Sequence, residues 1–130
     1  MNTNTLLKSF FFIFFLLYSF SVCSQDFIND KEFSKIINKD IVVIEFYADW
    51  NEANKFTDLK HLKDCKTYRI NIENEPTLKE DYTIKTIPTI IVFDNGKENI
   101  RYEADLSLKL QITKKDIQKT IEKIILTKFN

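Results

Sequence analysis

Few residues in this chain carry groups that could do chemistry. It has two cysteines, Cys23 and Cys65, and one histidine, His61. A thiolate can attack a disulfide or hold a metal, and a single unpaired Cys in an exported protein is a flag for an intermolecular disulfide. Support for a lowered Cys65 pKa is limited to Lys63 and Lys66, its only basic neighbours in sequence. His61 stands between Lys60 and Lys63 and reads as a solvated residue rather than a ligand. No set of His, Cys and carboxylates has metal-site spacing, so neither a metal nor another cofactor is expected. The remaining conspicuous group is Glu45, the one charged residue in the apolar run Ile41 to Tyr47. A carboxylate placed there is costly unless a cation accompanies it.

The elements that position these groups come from one domain, the size that 130 residues support. Nineteen basic residues balance nineteen acidic ones, which removes the polycationic field expected of a nucleic-acid binder. A single Gly and 44% apolar residues exclude collagen-like and Gly-rich classes. The N-terminus differs from the rest: Phe10 to Phe20 is apolar except for Ser19, with Lys8 ahead of it and Val22-Cys23-Ser24 behind. That is the pattern of a secretory leader, residues 1–24, cleaved between Ser24 and Gln25. Cys23 would leave with it, and Cys65 then has no intramolecular partner. Two alternatives keep the protein on a membrane: an uncleaved leader, or acylation of Cys23.

Along residues 25–130, Asn29 and Glu32 form a capping box ahead of Phe33, Ile36 and Ile37, predicting a helix over about 30–38. Ile41 to Tyr47 has the composition of a buried parallel strand. Ala53, Phe56 and Leu59 predict a short helix from Asn51 to about Lys63. Thr67 to Ile72 alternates as a strand, and Pro76 opens a brief helix ending near Asp81. Thr89 to Phe93 is β-branched, and Asp94-Asn95-Gly96 turns the chain into an antiparallel strand at Ile100 to Glu103. Thr113 and Asp116 cap a last helix with Ile117, Ile121, Ile124 and Ile125 on one face. The order gives a single α/β domain, a sheet covered by helices.

In sequence, Val42-Val43-Ile44-Glu45-Phe46-Tyr47-Ala48-Asp49-Trp50, Asn71-Ile72-Glu73-Asn74-Glu75-Pro76, Tyr82-Thr83-Ile84-Lys85-Thr86-Ile87-Pro88-Thr89 and Phe93-Asp94-Asn95-Gly96 form an ordered set. Together they resemble the thioredoxin family. The resemblance implies the thioredoxin fold, with a central mixed sheet flanked by helices. It makes Pro88 a cis-proline and places Trp50, Thr86, Ile87 and Pro88 around a groove for extended polypeptide, with Thr86 and Ile87 offering backbone groups for strand addition. It also pairs Glu45 with Arg69 beneath that site, the pair being foremost a structural one. One departure is decisive. Where the family carries Cys-x-x-Cys, this chain has Asn51-Glu52-Ala53-Asn54. The reaction needs one thiolate to attack and a second thiol to resolve, and an asparagine amide does neither. Glu52 is expected in the first turn of the following helix, where its carboxylate suits the positive dipole end. A helix of about a dozen residues would set Cys65 roughly 18 Å from the motif, too far to replace a missing thiol. The span from Trp50 to Asn71 is shorter than the family pattern and Ala104 to Thr113 longer, so partner surfaces need not transfer.

These features lead to an exported thioredoxin-like domain without dithiol chemistry that holds a protein or peptide partner in the groove. Two further readings stand beside it: a one-thiol exchange protein acting through Cys65, and a membrane-tethered accessory subunit. Export means the periplasm in a bacterium and the secretory pathway in a eukaryote.

Overall fold

The structure, a computed structural model, describes residues 26–130. The expected leader, its cleavage point and Cys23 lie outside the described residues. Five strands form one sheet: β1 Asp26–Phe27, β2 Ile41–Tyr47, β3 Lys66–Asn71, β4 Thr89–Asp94 and β5 Lys97–Glu103, in the order β1-β3-β2-β4-β5. β3 runs parallel to both β1 and β2, while β4 is antiparallel to β2 and to β5, so the sheet is mixed. Among the described residues three helices cover it: α1 Asp30–Ile36, α2 Pro76–Asp81 and α3 Lys114–Lys128. The two-residue β1 is too short to leave a periodic signal in the sequence.

β2 lies at the centre of the sheet and is buried along its whole length, which is why it reads as a continuous apolar run rather than an alternating one. Its residues still alternate between two cores. Val42, Ile44 and Phe46 join Phe33, Ile70 and Phe93 on the α1 and α2 side, where Phe33 meets Tyr82 at 5.1 Å and Phe93 at 5.7 Å edge to face. Ile41 and Val43 join Leu59, Ile90, Ile117 and Ile121 on the α3 side. The same parity points Glu45 to the α3 side.

Both predicted capping boxes form. Asn29 and Glu32 close α1 reciprocally, and Thr113 and Asp116 close α3. The α3 end is tied down as well, because Lys128 Nζ reaches Asp40 at 2.5 Å and Asp94 at 2.7 Å.

The helix expected over Asn51 to Lys63 is absent. Its place is taken by two 3-10 segments, Asp49–Asn54 and Leu59–His61. Continuation of an α-helix needs the Phe56 amide to bond the Glu52 carbonyl, but that amide donates to the Glu45 carboxylate at 2.6 Å. Lys55 is already extended, with ψ 151°. Ala53, Phe56 and Leu59 therefore satisfied a helical spacing that the backbone does not adopt.

With Ile121 fully buried and Leu126 exposed on the same helix, Ile121→Ala is expected to cost about 3 kcal/mol and Leu126→Ala less than about 0.5 kcal/mol. Urea unfolding of the two variants checks the assignment of α3 to the core.

Candidate functional site

At the carboxyl end of β2, Glu45 is fully buried and carries the tightest polar contacts of the region. One carboxylate oxygen accepts from Arg69 Nε at 2.7 Å and the other from the Phe56 amide at 2.6 Å. The expected pair is thus formed across neighbouring strands, where Glu45 and Arg69 are register partners. Arg69 goes further: its Nη1 and Nη2 reach Glu52 at 3.4 Å each, and its guanidinium lies 4.1 Å from the Tyr47 ring centroid. Lys55 Nζ completes the chain by donating to Glu52 at 2.9 Å. Burial pushes the Glu45 carboxyl above the ordinary range, against the opposing pull of the Phe56 amide and Arg69. At Arg69, burial acts downward but the carboxylates of Glu45 and Glu52 outweigh it and hold the cation firmly charged.

The position expected for Glu52 needs correction. No α-helix begins here, so Glu52 neutralises no helix dipole; its carboxylate serves Lys55 and Arg69 instead.

Three of the four motif positions, Asn51, Glu52 and Asn54, are hydrogen-bonded into the local fold. Asn51 is buried, and its Nδ2 donates to the Ile87 carbonyl at 3.1 Å and to the Leu108 carbonyl at 3.2 Å. Its Oδ1 accepts from Asn54 Nδ2 at 2.7 Å. Ala53 is exposed. A side chain with two donors and an acceptor fits a site where three chain segments meet.

One of those segments contains the cis Ile87–Pro88 bond. Beside it a cleft of about 170 Å³ is lined by Trp50, Ile84, Thr86, Ile87 and Leu108, with Lys79, Lys85 and Glu73 at its edges. Trp50 is 65% exposed there, while Ile87 and Pro88 are buried. Of the four residues expected around a groove, Trp50, Thr86 and Ile87 line this cleft, whereas Pro88 is buried and is not among its lining residues. The backbone is less available than anticipated. The Ile87 carbonyl already accepts from Asn51, and the Thr86 carbonyl accepts from Thr89 Oγ1 at 2.7 Å. Thr86 Oγ1 is enclosed without a partner among the described residues. A larger cleft of about 410 Å³ is lined by Asp49, Phe27, Tyr47 and Arg69, but the cation there is already taken up by Glu45, Glu52 and Tyr47.

Leu108, Lys79 and Lys85 are cleft residues that the sequence reading missed. Lys79 and Lys85 carry no motif, and the excess length of Ala104 to Thr113 gave no direction for that segment. The one local signal was Asp105 followed by Ser107, an Asx-turn spacing.

Cys65 lies apart from the cleft, half-buried against the α3-side cluster. Burial, aided by Asp64, pushes its thiol up to about 11. His61 is exposed, 3.4 Å from Asp58.

A thioredoxin family model matches residues 24–123. Among characterised proteins, the chain is 31% identical over 80 residues to a thioredoxin of Rickettsia felis, covering 55% of this chain and 76% of the relative. It is 30% identical over 78 residues to one of Mycoplasma genitalium, with the same coverage. In structure it resembles a mutant thioredoxin from Halobacterium salinarum, with a TM-score of 0.62 at 18% identity over 81% of this chain and 94% of the other. Oxidised mitochondrial thioredoxin 3 from Saccharomyces cerevisiae gives a TM-score of 0.56 at 16% identity, covering 76% and 94%.

Two stability measurements follow from the Glu45 network. Arg69→Met strands a buried carboxyl and should cost about 3 kcal/mol or more, of which Glu45→Gln/Arg69→Met restores most. A carboxyl raised above its unfolded pKa stabilises fully below the unfolded value and loses that contribution as pH rises through the folded value. Wild type should accordingly lose ground to Glu45→Gln as pH rises above about 4, the unfolded value. A gap that stays constant in urea melts as pH rises from about 4 contradicts the raised pKa.

Proposed function

Starting from a chain that belongs to the thioredoxin family, we propose that this member is exported, performs no dithiol exchange, and binds an extended polypeptide or partner protein in the cleft beside Trp50 and Ile87. The observation that carries the reading is Asn51. It occupies the place where the family resemblance puts the attacking cysteine, and its amide is spent on the Ile87 and Leu108 carbonyls. The relatives bear the name thioredoxin, which favours disulfide exchange by analogy. Against that analogy, Asn51 and Asn54 offer no thiol to attack or to resolve.

The reading through Cys65 has less support. A half-buried thiol with a pKa of about 11 is almost entirely protonated near neutral pH, and Cys65 packs toward α3, away from Trp50. Binding keeps the features that exchange cannot use: an indole held largely in solvent, apolar walls, and a Thr86 to Pro88 segment fixed from below by Asn51. Since the Thr86 and Ile87 carbonyls each accept a bond already, recognition rests more on side chains than on strand addition. Export rests on the leader pattern alone, and membrane attachment through Cys23 or a retained leader is the variant of this proposal that a fractionation of host cells distinguishes.

In an insulin-reduction assay with dithiothreitol, the protein should add nothing to the rate of dithiothreitol alone, and Cys65→Ser should change nothing further. Anisotropy of fluorescein-labelled, reduced and carboxymethylated lactalbumin reports the binding side. Trp50→Ala and Thr86→Phe should each weaken capture about tenfold while shifting stability by less than about 1 kcal/mol. Capture that both variants leave unchanged rejects the groove.

A further inference from the structure

The segment between β5 and α3 is a built feature of the cleft. Asp105 organises it: one carboxylate oxygen accepts from the Ser107 amide at 2.8 Å and from the Lys109 amide at 3.4 Å, and the other from Gln111 Nε2 at 2.9 Å. The Ser107 hydroxyl adds a further bond, and the Leu108 amide returns to the Asp105 carbonyl at 2.9 Å. Within this turn Leu108 holds φ at 60°, a conformation costly for a side chain of its size. Its carbonyl meets Asn51, which places its side chain among the residues lining the cleft.

We infer that the cleft selects a polypeptide segment in which one apolar side chain is flanked by acidic residues, with Leu108 of the Asp105 to Gln111 strap forming a wall of the apolar subsite and Lys79 and Lys85 reading the acidic flanks. The inference rests on the groove reading of the preceding subsection and narrows it. Three observations lead to it. About 170 Å³ is below the range of small-molecule sites and leaves room for a side chain rather than a cofactor. Its floor and walls are apolar, from Ile72, Ile84, Ile87, Leu108 and Trp50. Two exposed lysines, Lys79 and Lys85, line it together with one exposed carboxylate, Glu73, and neither lysine has an ion-pair partner among the described residues. Like charges on an incoming segment are disfavoured by those lysines and opposite ones favoured. Leu106, fully exposed on the same strap, gives the segment further apolar surface beside the cleft.

Trp50 is the chain's single tryptophan, so its emission reports occupancy directly. The full-length protein is titrated with three N-acetylated peptide amides: Glu-Glu-Leu-Glu-Glu, Lys-Lys-Leu-Lys-Lys and Glu-Glu-Gly-Glu-Glu. The acidic leucine peptide should bind at least about fivefold more tightly than either of the others. Lys79→Glu/Lys85→Glu should reverse the charge preference. Leu108→Gly removes the wall but suits the φ of the strap, so it should fold at least as well as wild type and bind the acidic leucine peptide about fivefold more weakly. If the two leucine peptides bind alike and Leu108→Gly changes nothing, the cleft does not select in this way, while the groove itself survives. If no peptide shifts Trp50 emission, the groove reading falls together with this one.

Discussion

A carboxylate in the centre of the sheet sets the terms for everything around it. Glu45 has no contact with solvent, and a buried charge is tolerated only with a cation and a full set of donors. Arg69 supplies the cation from the adjacent strand, and the Phe56 amide supplies the second donor. That amide is then lost to any helix following Trp50, so the chain passes through 3-10 turns where a longer helix would otherwise form. Arg69, fixed by Glu45, has its guanidinium face on Tyr47 and its outer nitrogens on Glu52, and so anchors the segment that carries Trp50 and Asn51.

On that frame, the substitution at Asn51 acquires a structural meaning. A thiol at this point has little capacity for hydrogen bonds, whereas the amide joins the loop before Pro88, the strap at Leu108 and Asn54. Asn51 thus acts as a clamp between these segments. Fixing the walls of a cleft in advance lowers the entropy cost of binding, so rigidity at this place favours the proposed recognition. The thiol that remains lies against α3, with its pKa raised by the burial that packs it.

Much of this was legible in the residues. Ile41 to Tyr47 announced a central buried strand, and Glu45 within it announced a charge needing a partner, which Arg69 proved to be. The capping residues Asn29, Glu32, Thr113 and Asp116 marked two helices because capping is a local interaction. The failures have one physical origin, the priority of distant contacts over local pattern. Ala53, Phe56 and Leu59 have helical spacing, yet a carboxylate eleven residues upstream takes the Phe56 amide. β1 exists only through its pairing with β3. Leu108 is an ordinary residue in sequence and becomes part of the cleft only because Asn51, 57 positions away, bonds its carbonyl.

In the function proposed above, the end of the molecule bearing Trp50 binds polypeptide without exchanging electrons with it. Nitrogen-15 NMR of the full-length protein, titrated with reduced and carboxymethylated lactalbumin in the presence and in the absence of dithiothreitol, tests it most directly. The account predicts shifts confined to Trp50, Thr86, Ile87, Leu108 and their neighbours, the same in both buffers. Shifts centred on Cys65, or a response that depends on the reductant, would contradict it.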